Sequence, residues 1–203
     1  MMKVSGIGVV VMCKAPLAGR VKTRLMTEFS ASRAAELHAA MATTVIKRAK
    51  RLFESVVVAA DDPGHPFFSA FGVPVTDQGE GDLGDRMQRQ VSSAFADGAD
   101  AVMLLGTDSP HMADQRLLTA ARLLKENDVV LGPVEDGGYD LLAMRADYPL
   151  FENVNWSTAE VVDQTLAHID ALSLSYALLD LSFDVDLPED IQRAVAMGWQ
   201  IDN

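Results

Sequence analysis

Cysteine occurs once in the 203 residues, at Cys13, so no internal disulfide can form. Histidine is also scarce: His38, His65, His111 and His168 are scattered, and none pairs with cysteine at zinc-ligand spacing. Neither a disulfide-stapled secreted scaffold nor a zinc site is indicated, and a reducing cytoplasm is the expected compartment. No apolar run is long enough to span a bilayer. The one segment that could pass for a leader, Val4 to Cys13 behind Lys3, is rich in β-branched residues, lacks a small-x-small cleavage site and runs into basic sequence. It reads as a buried first strand. Repeats, low-complexity tracts and linkers are missing as well. With 49% hydrophobic content, residues 1–203 suit a single domain around one substantial core.

Acidic residues are absent from the first 27 positions, in a chain whose formal charge is −12. That segment carries Lys3, Lys14, Arg20, Lys22 and Arg24, or +5, which leaves −17 for the remainder. A surface so acidic repels nucleic acid, an anionic membrane and other extended polyanions, whereas a small anion can still be held at one basic loop. A small phosphorylated ligand is therefore expected. The familiar phosphate and nucleophile signatures are missing too. The basic segment has no G-x-x-x-x-G-K-[ST] and no G-x-G-x-x-G, the chain has no nucleophile elbow, and with the four histidines far apart in sequence a Ser-His-Asp hydrolase is not expected.

What is present is an alternation of strand and helix patterns. Val4 to Met12 reads as a strand covered on both faces, followed by a loop to about Thr27 and an Ala-rich helix over 30–50. Further strands are expected at 55–60, 73–76, 101–106, 129–131, "YDLLAMR" and "SLSYALLD". Helices are expected at 81–96, 115–126, 157–169 and 188–197. This rhythm predicts an α/β sandwich with a mostly parallel sheet, which binds ligands at the carboxyl ends of its strands.

The loop "KAPLAGRVKTRL" follows the first strand directly. Pro16 and Gly19 suggest a structured turn. If residues 20–24 are extended, Arg20, Lys22 and Arg24 project to one side and converge with Lys14 on a di- or triphosphate. The competing reading is an exposed loop kept polar for solubility. In "AVMLLGTDSP", Asp108 lies just past a buried strand, where it can hold a hard cation beside a phosphate or merely cap a turn. In "GPVEDGGYDLL", Asp136 precedes two glycines that allow close approach of a ligand; an Asp-Gly hairpin turn explains the same residues. Asp184 and Asp186 in "DVDLPED" share one side of an extended segment, and Asp186 with Pro188 and Glu189 also suits a helix start. Asp82 and Asp85 favour a helix dipole, while Gly79, Gly81 and Gly84 could seat a base or ribose on the backbone. Ser157-x-x-Glu160 is a capping-box signature, with Trp156 before it as a staple or pocket wall. His38 and His168 fall in helical patterns as packing or surface residues, and only His111 lies near the expected site.

Together, "KAPLAGRVKTRL", "QGEGDLGDRM", "LLGTDSP", "LGPVEDGGYDLL", "NWSTAEVVDQTL" and "DVDLPED" resemble small bacterial GT-A-type glycosyltransferase-like proteins described as nucleotide-diphospho-sugar transferases. More distantly they are similar to phospholactate and molybdenum-cofactor nucleotidyltransferases. The resemblance runs from about Val9 to Pro188 and implies a Rossmann-like three-layer sandwich with an antiparallel strand inserted in its second half. It matches Lys14, Gly19, Arg20, Lys22 and Arg24 to a phosphate-binding loop, Gly81 and Asp82 to the region near the nucleoside, and Asp108 to a metal-binding aspartate. One departure is that "GTDSP" holds a single acid where GT-A enzymes carry D-x-D. The implied activity is metal-assisted transfer, with Mg²⁺ or Mn²⁺, from a nucleotide-sugar to a small-molecule acceptor, with Asp136 or Asp186 taking the acceptor proton. A nucleotidyltransferase releasing pyrophosphate and a non-catalytic nucleotide-binding module are the alternatives.

Overall fold

In the computed structural model, which describes residues 2–201, the apolar run after Lys3 forms strand β1, Val4–Cys13. It lies in the interior of a seven-stranded sheet, where both its faces are covered. Val9 and Val11 point to one side and Val10 to the other, and all three are buried. The remaining elements follow as α1 (Ala31–Leu52), β2 (Phe53–Ala60), β3 (Val75–Asp77), α2 (Leu83–Ala96) and β4 (Ala101–Leu105). Then come α3 (Asp114–Leu123), β5 (Val129–Pro133), β6 (Tyr139–Met144), α4 (Val161–Ala171), β7 (Tyr176–Leu178) and α5 (Pro188–Ala196).

The strand order is β3-β2-β1-β4-β6-β5-β7. All pairings are parallel except those of β6, which runs antiparallel to both β4 and β5. This is a Rossmann-like α/β sandwich with the inserted antiparallel strand that the motifs imply. α1 and α3 pack on one face through Val45, Ile46, Leu117 and Ala120, and α2 and α4 on the other through Met87, Val91 and Ile169. A third apolar cluster joins Leu25, Leu37, Met41, Phe183, Val185, Ile191 and Trp199. It fastens the loop after β1 and helix α5 to one flank of α1. Among the described residues no helix is long and apolar enough to cross a membrane.

Two local expectations are revised and a third holds. Residues 20–24 are not extended: Lys22 adopts a left-handed conformation (φ 47°) and Thr23–Thr27 form a 3₁₀ turn, because Leu25 is drawn fully into the third cluster. The Ser157-x-x-Glu160 signature makes no capping box. Ser157 itself has φ 64°, helix α4 begins only at Val161, and the Glu160 side chain accepts instead from Gln164 Nε2 at 3.0 Å. Asp82 does cap α2: its Oδ1 accepts from Asp85 N at 2.9 Å, and Asp85 Oδ2 accepts from Asp82 N at 3.2 Å, a reciprocal box.

Leu142 sits at the centre of β6 with no exposed surface, against the α2/α4 layer. Leu142→Ala is expected to lower stability by about 2–5 kcal/mol through lost contacts and a residual cavity. A urea melt checks this: the midpoint should drop with the slope unchanged. A loss below about 1 kcal/mol would show that β6 is not a core strand.

Candidate active site

The carboxyl ends of β1 and β4 and the amino end of the reversed β6 open into one cleft of about 590 Å³. Lys14, Arg20, Lys22 and Arg24 form its basic side, and Asp108, Asp136, Asp184 and Asp186 reach it from three other segments. Gly19, Gly81 and Asp82 do not line it, and the Asp82 carboxylate is committed to its helix.

The backbone of the loop after β1 is held by side chains from neighbouring segments. Ala15 N donates to Asp61 Oδ1 at 2.6 Å, and buried Gln78 donates from Nε2 to Ala59 O (2.8 Å) and Cys13 O (3.3 Å). These bonds tie the end of β1 to that of β2. His38, on α1, approaches Lys14 O through Nε2 at 2.9 Å. A carbonyl only accepts, so Nε2 carries the proton, and Nδ1 is buried without a partner. Burial holds the His38 pKa below its ordinary value, which keeps the ring neutral.

Lys22 is the centre of the arrangement. Its Nζ lies 2.8 Å from Asp108 Oδ1, 2.8 Å from Asp186 Oδ1 and 2.8 Å from Val185 O, and its side chain is only 5% exposed. Arg24 Nη1 adds a 3.1 Å bond to Asp186 Oδ2. Burial opposes the Lys22 charge, but the two aspartates outweigh it and raise the pKa above the usual lysine value. Burial likewise pushes the Asp108 carboxyl up, yet the Lys22 charge and hydrogen bond hold it below the carboxylate range. The Asp108 side chain remains 41% exposed toward the cleft.

Asp184 behaves differently. Burial, then the charge of Asp108, push its pKa up to about 7. Ser109 Oγ lies 2.7 Å from Asp184 Oδ1 and 2.9 Å from Phe183 O. When Asp184 is protonated it donates to Ser109, which donates onward to Phe183. When Asp184 ionises, the single hydroxyl proton must serve one acceptor or the other. Asp186 is not used to cap α5, because Asp190 Oδ2 accepts from Leu187 N at 2.9 Å and does that work.

On the opposite wall, Asp136 forms the expected Asp-Gly turn and still faces the cleft. Its Oδ1 accepts from Gly138 N at 2.9 Å, and Gly137 has φ 87° and lies against the backbone of Ala159, where no Cβ would fit. Val162 N donates to Gly137 O at 2.9 Å, so the turn and the start of α4 are one rigid unit. Trp156 lines the cleft beside α2, with Nε1 buried and unpartnered. Cys13 also lines the cleft, but burial and the charges of Asp108 and Asp61 raise its pKa far above the usual thiol value, so it is no nucleophile.

The family described as an uncharacterized protein conserved in bacteria (DUF2064) matches residues 43–158, more than half of the sequence. The chain belongs to that family. No curated protein matches the sequence. Among solved structures, a protein from Desulfovibrio desulfuricans G20 named a putative nucleotide-diphospho-sugar transferase is 29% identical, with TM-score 0.84 over 91% of this chain and 84% of that one. CMP:2-keto-3-deoxy-manno-octonic acid synthetase complexed with CTP shares the fold at 15% identity, with TM-score 0.62 over 94% of this chain and 97% of that one. So does 4-diphosphocytidyl-2C-methyl-D-erythritol synthase from Anaerococcus prevotii DSM 20548, at 11% identity and TM-score 0.60, covering 95% and 98%.

His38, Gln78 and Arg86 line the cleft but were not marked as site residues by sequence pattern. A histidine inside an Ala-rich helix carries no local signal of what it faces. Arg86 had a weak signal, as the one cation within "QGEGDLGDRM", and it donates from Nε to Gly81 O at 3.0 Å.

The Asp184 environment yields a pH test. Its folded pKa of about 7 lies above the ordinary 3.8, so between those values the folded protein keeps a proton that the unfolded chain releases. Stability from this group is full below about pH 4 and is lost as pH rises through about 7. Asp184→Asn keeps a neutral hydrogen-bonding side chain. Its stability relative to the native protein should therefore rise by on the order of 2 kcal/mol between about pH 5 and about pH 8.5 in parallel denaturant melts. A pH-independent difference would contradict the assignment.

Proposed function

We propose that the chain transfers a sugar from a nucleotide-diphospho-sugar to a small-molecule acceptor, with help from Mg²⁺ or Mn²⁺. The carrying observation is the Lys22 ammonium bridging Asp108 and Asp186 at the strand ends, with Arg24 beside it. It brings a cationic loop and a carboxylate cluster into direct contact on one side of the cleft.

A hard cation suits this donor set. Asp108, Asp184 and Asp186 offer only carboxylate oxygens, and a positive charge already stands between two of them. No group of three His, Cys, Asp or Glu side chains is arranged as ready-made metal ligands among the described residues. Asp108 and Asp186 would hold the ion, with Asp184 behind them. Bound there, the ion would supply neutralisation of charge on the leaving diphosphate. Lys14, Arg20 and Arg24 would bind the diphosphate oxygens from the basic side and offset the charge that develops on them. Asp136, on its rigid turn, would accept the acceptor proton. The bond from sugar C1 to the β-phosphate oxygen breaks, the bond from C1 to the acceptor oxygen forms, and the proton passes to the Asp136 carboxylate.

The second reading is nucleotidyl transfer from an NTP with release of pyrophosphate. It is favoured by the fold shared with a synthetase complexed with CTP, and the same cations and carboxylates would serve it.

Phosphorus NMR of the purified protein with nucleotide-sugars or NTPs and Mn²⁺ or Mg²⁺ distinguishes the two. Free nucleoside diphosphate from a nucleotide-sugar is expected, slowed about 10²-fold or more in Asp108→Asn. Pyrophosphate from an NTP would replace the first reading with the second. Nucleotide binding with no turnover, unaffected by metal and by Asp108→Asn, would leave a non-catalytic module.

A further inference from the structure

Lys22 occupies the place where a divalent cation would sit, and it is fully satisfied there. All three ammonium protons have an acceptor at 2.8 Å: Asp108 Oδ1, Asp186 Oδ1 and Val185 O. One of the two carboxylates and a neighbouring one are engaged further. Asp186 Oδ2 accepts from Arg24, and Asp184, next in line, is hydrogen-bonded to Ser109. A free metal ion approaching this cluster meets a buried positive charge rather than an open carboxylate pair.

The same lysine is poorly placed on local grounds. Its backbone is left-handed, with φ 47° and ψ 43°, a region that a side chain with a Cβ disfavours. Leu25, three residues on, is anchored in the third apolar cluster, so the turn itself stays put while the lysine side chain depends on its two aspartates. Take those away and the ammonium needs another anion. A nucleoside diphosphate in the cleft is such an anion, since Lys14, Arg20 and Arg24 line the same wall.

We propose that Lys22 is a displaceable surrogate for the divalent cation, so that the site takes the metal only as a chelate with a nucleoside diphosphate. On binding of the chelate, the Lys22 ammonium would pass from the carboxylates to a phosphate oxygen, leaving Asp108 and Asp186 to hold the metal. No covalent bond changes, and the lysine remains protonated throughout. This inference rests on the transferase reading above, and it adds the form in which that ligand is recognised.

Mn²⁺ binding to the full-length protein tests it, read from the electron paramagnetic resonance signal of the free ion. The native protein and Lys22→Met are each titrated with Mn²⁺ alone, and nucleoside diphosphate binding is measured separately by calorimetry in EDTA and in Mn²⁺. Lys22→Met should bind Mn²⁺ alone at least 10-fold more tightly than the native protein, while its diphosphate affinity in EDTA falls at least 10-fold. Equal Mn²⁺ affinity in the two proteins would overturn the proposal. The native protein also decides on its own: NMR signals of the Lys22 side chain should ignore Mg²⁺ alone and move with Mg²⁺ plus diphosphate. A shift with Mg²⁺ alone overturns the proposal. Diphosphate binding that ignores metal in both proteins sinks this inference and leaves the transferase reading standing. If no nucleotide binds at all, the transferase reading fails, while the Mn²⁺ comparison still judges Lys22.

Discussion

A buried ammonium holding two carboxylates is the constraint on which the site depends. Lys22 and Asp186 are 164 residues apart in sequence, yet their charged atoms lie 2.8 Å apart. Removing Lys22 would leave the Asp108 carboxylate without its counter-charge beside buried Asp184, and that is more costly than losing a surface ion pair. The contact therefore fixes the loop after β1 and the segment before α5 relative to one another. Asp108 joins them from the end of β4. Three strand-end segments are thus locked by one side chain, and the basic wall of the cleft keeps its shape without a ligand.

The reversed strand β6 explains why the opposite wall is where it is. Had β6 run parallel, its amino end and the Asp136 turn would lie at the far edge of the sheet from Asp108. Because β6 is antiparallel to β4, with Leu105 paired to Leu141, the residues just before β6 reach the same edge as those just after β4. The Asp136 turn is then stiffened by its own Asx bond and by the docking of Gly137 on Ala159. Both walls are turns and loops braced against the ends of sheet strands, which limits how far they can shift.

Period and burial made most of this legible in the sequence. The continuous apolar run of β1, the Ala-rich pattern of α1 and the alternation that followed were enough for a mostly parallel sheet. The cations Lys14, Arg20, Lys22 and Arg24 and the acid Asp108 were visible because each stands in an anomalous place, a basic stretch in an acidic chain or a charge just past a buried strand. What sequence hid was pairing. Nothing local in "VKTRL" shows that Leu25 will pull the chain into a 3₁₀ turn, or that the lysine two residues after Arg20 will be buried while Arg20 stays exposed. The Ser157-x-x-Glu160 signature failed for a related reason. Docking of Ala159 on Gly137 fixes the backbone there, and Ser157 is held left-handed despite its capping propensity. His38 was hidden because its role is set by the carbonyl of Lys14, a partner that no side-chain pattern reveals.

The single aspartate in "GTDSP" looks like a deficit only along the chain. In space, the acid facing Asp108 is Asp186, brought in from near the C-terminus, and Asp184 lies close by, where burial first and the Asp108 charge second push its pKa up to about 7. An adjacent D-x-D would place two charges on one short turn, where they repel one another whether or not a counterion is present. Drawing the second carboxylate from another segment makes the pairing depend on the fold of α5 and the third apolar cluster. Phe183 and Val185 are buried in that cluster, and they alternate with Asp184 and Asp186 so that apolar side chains point inward and acids toward the cleft. The same two-residue period that buries the segment therefore presents its acids. Apolar packing around Trp199 and Met41 sets where those charges stand.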